Sequence, residues 1–187
     1  MSKRFLDEGI YHIYNRWLEK MIIFKNESDF ERFYKLLVKY IALDKYKWIK
    51  LISYCLIPNH FHFIISYHDL TCNLTPGLDE KRLVHNPGVE CVVYGNISDF
   101  MWNLQNAYSK YFNIKYKRKW TIFEWRFKAK LIDTDEYLEQ CLAYVNFNPL
   151  KHEIVDNIDN YKWTSYHQLD KEKLEKYKDM SLDELEM

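Results

Sequence analysis

Leu51-Ile52-Ser53-Tyr54-Cys55-Leu56-Ile57-Pro58-Asn59-His60-Phe61-His62-Phe63-Ile64-Ile65 reads as two apolar strands joined at a Pro-Asn turn. Side chains alternate across a strand, so His60 and His62 point to one face while Phe61 and Phe63 point to the other. Two same-facing imidazoles on a rigid strand make half of a metal site, because a metal generally takes a third protein ligand. The pair does not choose the metal, since imidazole suits manganese, zinc or iron better than magnesium. The plainer reading is that both rings hydrogen-bond their neighbours at the strand surface.

Upstream of this hairpin, Gly9-Ile10-Tyr11-His12-Ile13-Tyr14-Asn15-Arg16 is rich in β-formers and reads as a first strand. Ser28 followed three residues later by Glu31 has the form of a capping box. From there Phe30, Phe33, Leu37, Tyr40 and Ile41 recur at helical spacing, which predicts a helix to about residue 43. Downstream, residues 69–96 hold Pro76-Gly77, Asn86-Pro87-Gly88 and Gly95-Asn96 and read as an irregular connection. A helix is expected from Ser98, its N-cap, to about Asn113, then a strand from Phe127 to Ile132. Thr134 caps a further helix that Pro149 stops near Asn148.

Strand, helix, paired strands, helix, strand, helix predicts an α+β fold. The nearest common form is an antiparallel sheet with helices packed mainly on one face, a ferredoxin-like or RRM-like core. Residues 1–168 are read as one domain and 169–187 as a charged, helical, solvated tail.

Composition narrows the class. Hydrophobic residues make up 48% and aromatics 18% of 187 residues, which excludes a disordered chain. Four cysteines with no C-x-x-C pair favour reduced thiols, and no apolar run suits a signal peptide or a membrane span, so a cytoplasmic location is expected. Net charge is zero, yet between Lys115 and Lys130 seven bases stand against Glu124 alone. Tyr116, Trp120, Phe123, Trp125 and Phe127 interleave with them. Aromatic faces stack on unpaired bases while Lys117, Arg118, Lys119, Arg126, Lys128 and Lys130 neutralise phosphates, a pattern suited to single-stranded nucleic acid. A solvated surface strip is the bland alternative.

A covalent nucleophile could come from three helical tyrosines, Tyr108, Tyr111 and Tyr144. Tyr144 stands out because Asn148 lies four residues on, hence on the same helical face. A phenol and a carboxamide on one face suit a nucleophile and a third metal ligand.

These residues also carry a resemblance. Tyr11-His12-Ile13-Tyr14-Asn15-Arg16, the His60-Phe61-His62 hairpin, Tyr108-Ser109-Lys110-Tyr111-Phe112-Asn113, Phe123-Glu124-Trp125-Arg126-Phe127-Lys128-Ala129, Tyr144-Val145-Asn146-Phe147-Asn148-Pro149 and Trp163-Thr164-Ser165-Tyr166 recur in this order. Together they resemble the REP-associated tyrosine transposases, of the single-tyrosine HUH superfamily. The resemblance implies a sequence-specific single-stranded DNA endonuclease and strand transferase. His60 and His62 would bind Mg2+ or Mn2+, and Asn148 would complete the site. Tyr144, with Tyr108 in reserve, would form a 5′-phosphotyrosine intermediate on a hairpin or palindromic DNA. The chain could act as a monomer or a homodimer. Two other classes stand beside this reading: a non-catalytic nucleic-acid-binding module on the same fold, and a metal hydrolase for small molecules with a deep pocket at the histidines.

Overall fold

The computed structural model describes residues 8–16, 21–68, 96–124 and 126–179. Its elements in chain order are β1 (Glu8–Arg16), α1 (Glu27–Ile41), β2 (Ile49–Ile57), β3 (His60–His68), α2 (Ile97–Lys115), β4 (Lys128–Ile132), α3 (Asp135–Lys151) and α4 (Lys171–Glu175). The strands form one sheet in the order β2-β3-β1-β4, with every neighbour antiparallel. Each of the α1 and α2 crossovers steps over one strand, the split arrangement of a ferredoxin-like fold. The expected connection at 69–96 lies outside the described residues except for Asn96, as do Trp125 and the tail beyond residue 179.

Alternation along the central strands divides the molecule. Tyr11 and Ile13 of β1 and Phe61, Phe63 and Ile65 of β3 pack with Phe33 and Leu37 of α1 and with Phe100, Leu104 and Tyr108 of α2. The intervening residues face a second core, built with Cys141, Tyr144, Val145 and Phe147 of α3. Thus α1 and α2 share one face of the sheet and α3 covers the other.

Local chemistry shifts several boundaries. The N-cap of α1 is Asn26 rather than Ser28, whose hydroxyl instead donates to Asn26 Oδ1 at 2.7 Å. Buried Asp29 then ties α1 to α2, accepting from Lys115 Nζ at 2.6 Å and from the Tyr116 hydroxyl at 2.7 Å. Asn96, not Ser98, caps α2 by accepting from Asp99 N. Thr134 caps α3 as expected, accepting from Tyr137 N. Pro149 does not stop that helix, which runs to Lys151. A proline so near the end forfeits one helical hydrogen bond, and only two residues follow it.

β2 carries an irregularity between Leu51 and Ser53. Leu51 pairs with Ile65 and Ser53 with Ile64, so Ile52 is the extra residue of a bulge. This reverses the alternation and turns Ser53 toward α3. There Asn146 Nδ2 donates to Ser53 Oγ at 2.9 Å, and Asn146 Oδ1 accepts from Thr164 and Ser165 at 2.7 and 2.9 Å. The described part of the expected solvated tail, residues 169–179, in fact docks: Leu174 and Tyr177 are buried in the second core. No helix of the described residues is long and apolar enough to cross a membrane.

Candidate active site

Register assembles the site from three strands. His62 lies opposite Tyr14 of β1, and Tyr14 lies opposite Lys128 of β4. One row toward the far end, Ile64, His12 and Lys130 are aligned in the same way. Residues opposite each other in an antiparallel pair share a face, so His12, Tyr14, His60, His62, Lys128 and Lys130 all lie on the α3 side. The His12 and His62 rings lie near-parallel, 20° apart with centroids 5.2 Å apart, and Tyr14 lies near-parallel to His62 at 5.5 Å.

The α3 helix lies over this row. Tyr144 meets His62 edge-on at 5.6 Å and His12 at 6.0 Å. One turn on, Asn148 is fully buried beside His60. One further turn brings His152, the C-cap, within 5.1 Å of the His60 ring. Lys151 places its ammonium 4.8 Å from the Tyr144 ring centroid. The Asn146 network described above fixes the helix in this orientation, because a slide or roll would strip buried polar groups of partners.

The histidines are held neutral. Burial pulls His12 down to about 4, aided by the nearby Lys130 charge. His60 falls to about 4 through burial and the neighbouring His152, against a smaller opposing influence from Asn148. His62 lies well below its ordinary value because of burial and the adjacent His12, His60 and His152. Neutral imidazoles are the form that ligates a metal.

Orphaned polar atoms point the same way. His62 Nε2 and both polar atoms of the Asn148 carboxamide are buried without a well-formed hydrogen bond, although the Asn148 amide lies close enough to His60 to oppose the lowering of its pKa. His60 holds Asn59 Oδ1 through Nδ1 at 2.6 Å, which leaves its Nε2 as the remaining ring nitrogen. The His60 and His62 rings lie 4.9 Å apart at 77°. Two imidazoles and a carboxamide oxygen fit a small divalent cation. Among the described residues no group of three or more His, Cys, Asp and Glu side chains has metal-holding geometry; the Asn148 amide beside His60 is the polar group that could stand as a third ligand.

The other residues singled out from sequence fare differently. Tyr108 lies on the far side of the sheet, fully buried among α1 and α2, and its hydroxyl donates to the Ile23 carbonyl at 2.6 Å. Burial pushes its phenol far above the ordinary value, and the sheet separates it from His60 and His62. Lys128 and Lys130 lie on the histidine face, whereas Lys117, Arg118, Lys119 and Trp120 occupy the turn after α2. Lys117, Lys119 and Arg126 are exposed, and Trp120 stands 77% exposed. Glu124 pairs with Arg16 Nε at 2.6 Å, closing a shallow depression with Tyr14, Asn15 and Lys128 beside the site.

Four residues of the site were not singled out: His12, Tyr14, Lys151 and His152. The first two share a face by alternation, a signal present in the sequence, but which strand flanks β3 is not. His152 lies four residues beyond Asn148, and taking Pro149 as a stop hid it.

No protein-family model matches the chain, and no curated protein matches it. Among solved structures it is similar to a REP-associated tyrosine transposase bound to a REP hairpin. The TM-score is 0.61 at 14% identity, covering 90% of this chain and 82% of that one. At such low identity the likeness shows a shared fold.

Proposed function

We propose that this chain is a single-tyrosine HUH transposase of the REP-associated type, cleaving and rejoining single-stranded DNA with Tyr144 as nucleophile. The observation that carries the reading is Tyr144 and Asn148 on one face of α3, set against His60 and His62 of β3, with His62 Nε2 and the Asn148 amide left without a well-formed hydrogen bond. The solved transposase of the same fold, itself bound to a REP hairpin, supports a DNA hairpin or palindrome as partner.

In the proposed step the Tyr144 hydroxyl oxygen bonds to phosphorus and the bond to the 3′-oxygen breaks. The 3′-oxygen leaves as a hydroxyl, taking up the equivalent of the proton that the phenol gives up. The product is a 5′-phosphotyrosine that retains the energy of the broken ester, so a later 3′-hydroxyl can reverse the step and join strands. Lys151 places a positive charge over the Tyr144 ring, beside the site of attack. His60, His62 and Asn148 would hold Mg2+ or Mn2+, which when bound polarises the phosphate and offsets developing charge. Lys128 and Lys130 offer a path for the backbone on the same face, and Trp120 a stacking surface at the turn. The buried, reduced Cys55 and Cys141 thiols support a cytoplasmic setting.

One observation favours a second reading, a non-catalytic single-strand-binding module: Tyr144 is only 3% exposed. A nucleophile must be uncovered for attack, so the catalytic reading requires the Tyr144 hydroxyl to become accessible when DNA binds. Incubation with hairpin-bearing single-stranded DNA and Mn2+ separates the two. The catalytic reading expects a covalent adduct that survives denaturation and is missing in Tyr144→Phe. Tight DNA binding without an adduct, across flanking-repeat substrates, favours the module.

A further inference from the structure

His12 makes one contact that the proposed chemistry does not use: its Nε2 lies 2.9 Å from Nδ1 of His62, with both rings buried. A neutral imidazole carries one proton, donating through one nitrogen and accepting through the other. One proton therefore occupies this hydrogen bond, and two arrangements are open. With His12 as donor, His62 must carry its own proton on Nε2, burying an N–H that has no acceptor. With His62 as donor, Nε2 becomes a bare lone pair instead.

The neighbouring histidine indicates which arrangement the site uses. Asn59 Oδ1 accepts from His60 Nδ1 at 2.6 Å, so His60 carries its proton on Nδ1 and keeps Nε2 bare. His12 stands to His62 as Asn59 stands to His60: each supplies an acceptor at Nδ1. Geometry reinforces the role, because the His12 and His62 rings lie within 20° of parallel with centroids 5.2 Å apart, as an in-plane N–H···N bond requires, and Tyr14 packs 5.1 Å from His12. We infer that His12 is a positioning residue that accepts the Nδ1 proton of His62 and so leaves His62 Nε2 bare for a divalent cation. The inference rests on the metal-site reading above, and it assigns a function to the histidine of the β1 segment Tyr11-His12-Ile13-Tyr14.

The test uses the full chain, 15N-labelled on histidine and free of metal. Long-range 1H–15N spectra are expected to show His62 protonated on Nδ1. Mn2+ titration followed by calorimetry is expected to give His12→Phe an affinity lower by about tenfold to a hundredfold, the usual cost of losing a partner of a metal ligand. His12→Gln, whose side-chain carbonyl can accept the same proton, is expected to recover most of that loss. A merely structural role would not separate Phe from Gln in this way. Wild type that binds Mn2+ while His62 is protonated on Nε2 overturns the role of His12 alone. So does a His12→Phe variant that binds Mn2+ as wild type does. Wild type that takes up no Mn2+ overturns the metal site and this role with it. The spectra of the wild type keep the test decisive even if His12→Phe does not fold.

Discussion

The two faces of the sheet are made by the same strands and both bury apolar side chains, but the α3 face also buries His12 and His62. On the α1–α2 face, Phe61 and Phe63 stack at 4.7 Å and Phe33 packs against Phe61 at 5.3 Å and edge-on against Tyr108 at 5.1 Å. One residue along, on the α3 face, His62 is buried among His12, Tyr14 and Tyr144 with a ring nitrogen unpartnered. Apolar burial stabilises the first face at about 1.5–3 kcal/mol per large side chain. Burying a polar atom without a partner costs about 1–3 kcal/mol. Both faces thus gain from apolar burial, and the α3 face carries a local cost at His62 and Asn148, the pattern expected where a site is held ready for something that binds it.

The largest effect expected from this division concerns the two buried tyrosines. Tyr144→Phe should lower covalent adduct formation by at least about 10³-fold, since it removes the attacking oxygen. Tyr108→Phe should leave adduct formation unchanged and cost about 1 kcal/mol of stability through its lost bond to the Ile23 carbonyl. Denaturing gels of the DNA adduct, run beside urea unfolding, read both. Loss of the adduct in Tyr108→Phe but not in Tyr144→Phe would place the chemistry on the wrong face.

Stability provides the second contrast. Phe33 is fully buried in the aromatic core, and Phe33→Ala should cost about 3–5 kcal/mol through lost burial and the cavity left behind. His60→Ala, at a partly exposed strand start, should cost about 1 kcal/mol or less while impairing Mn2+ uptake. Equal losses of stability in the two variants would remove the distinction between the faces.

How much of this the sequence disclosed depends on range. Alternation in His60-Phe61-His62-Phe63 assigned both faces correctly, because a strand's period is local. Tyr144 and Asn148 could be placed on one helical face for the same reason. Strand order could not be read, so His12 stayed an anonymous strand histidine until β1 paired with β3. The bulge at Ile52 reverses parity without any Gly or Pro to announce it, and Ser53 was therefore not seen as a partner of Asn146. Leu174 and Tyr177 looked solvated among charges because burial of a short helix depends on the surface it meets.

Acid should act on the α3 face first. His12 titrates at about 4 in the folded chain, against an ordinary 6.5 when unfolded. Between these values the unfolded chain binds more protons, so stability falls as pH drops from 6.5 toward 4 and levels off below. His12 alone contributes a loss on the order of 3 kcal/mol across that window. Urea midpoints of the metal-free protein at pH 7.5, 5.5 and 4.5 should decline, and His12→Phe should flatten the decline. An unchanged slope in His12→Phe would mean that this ring is not buried neutral.

The smallest effect probes the site most finely, because it compares two asparagines two residues apart on one helix. Asn146 is fully partnered, donating to Ser53 Oγ and the Leu142 carbonyl and accepting from Thr164 and Ser165. Asn148 is equally buried and has no well-formed hydrogen bond at either polar atom. Leucine has nearly the shape of asparagine and no polar atoms. Asn146→Leu would strand the hydroxyls that now meet the amide and should cost about 1–3 kcal/mol. Asn148→Leu strands nothing, so its stability should change by about 1 kcal/mol or less, in either direction, while Mn2+ affinity falls. Paired urea and Mn2+ titrations distinguish the outcomes. If Asn148→Leu proves as costly as Asn146→Leu, its amide is already satisfied in the folded chain and is not waiting for a cation.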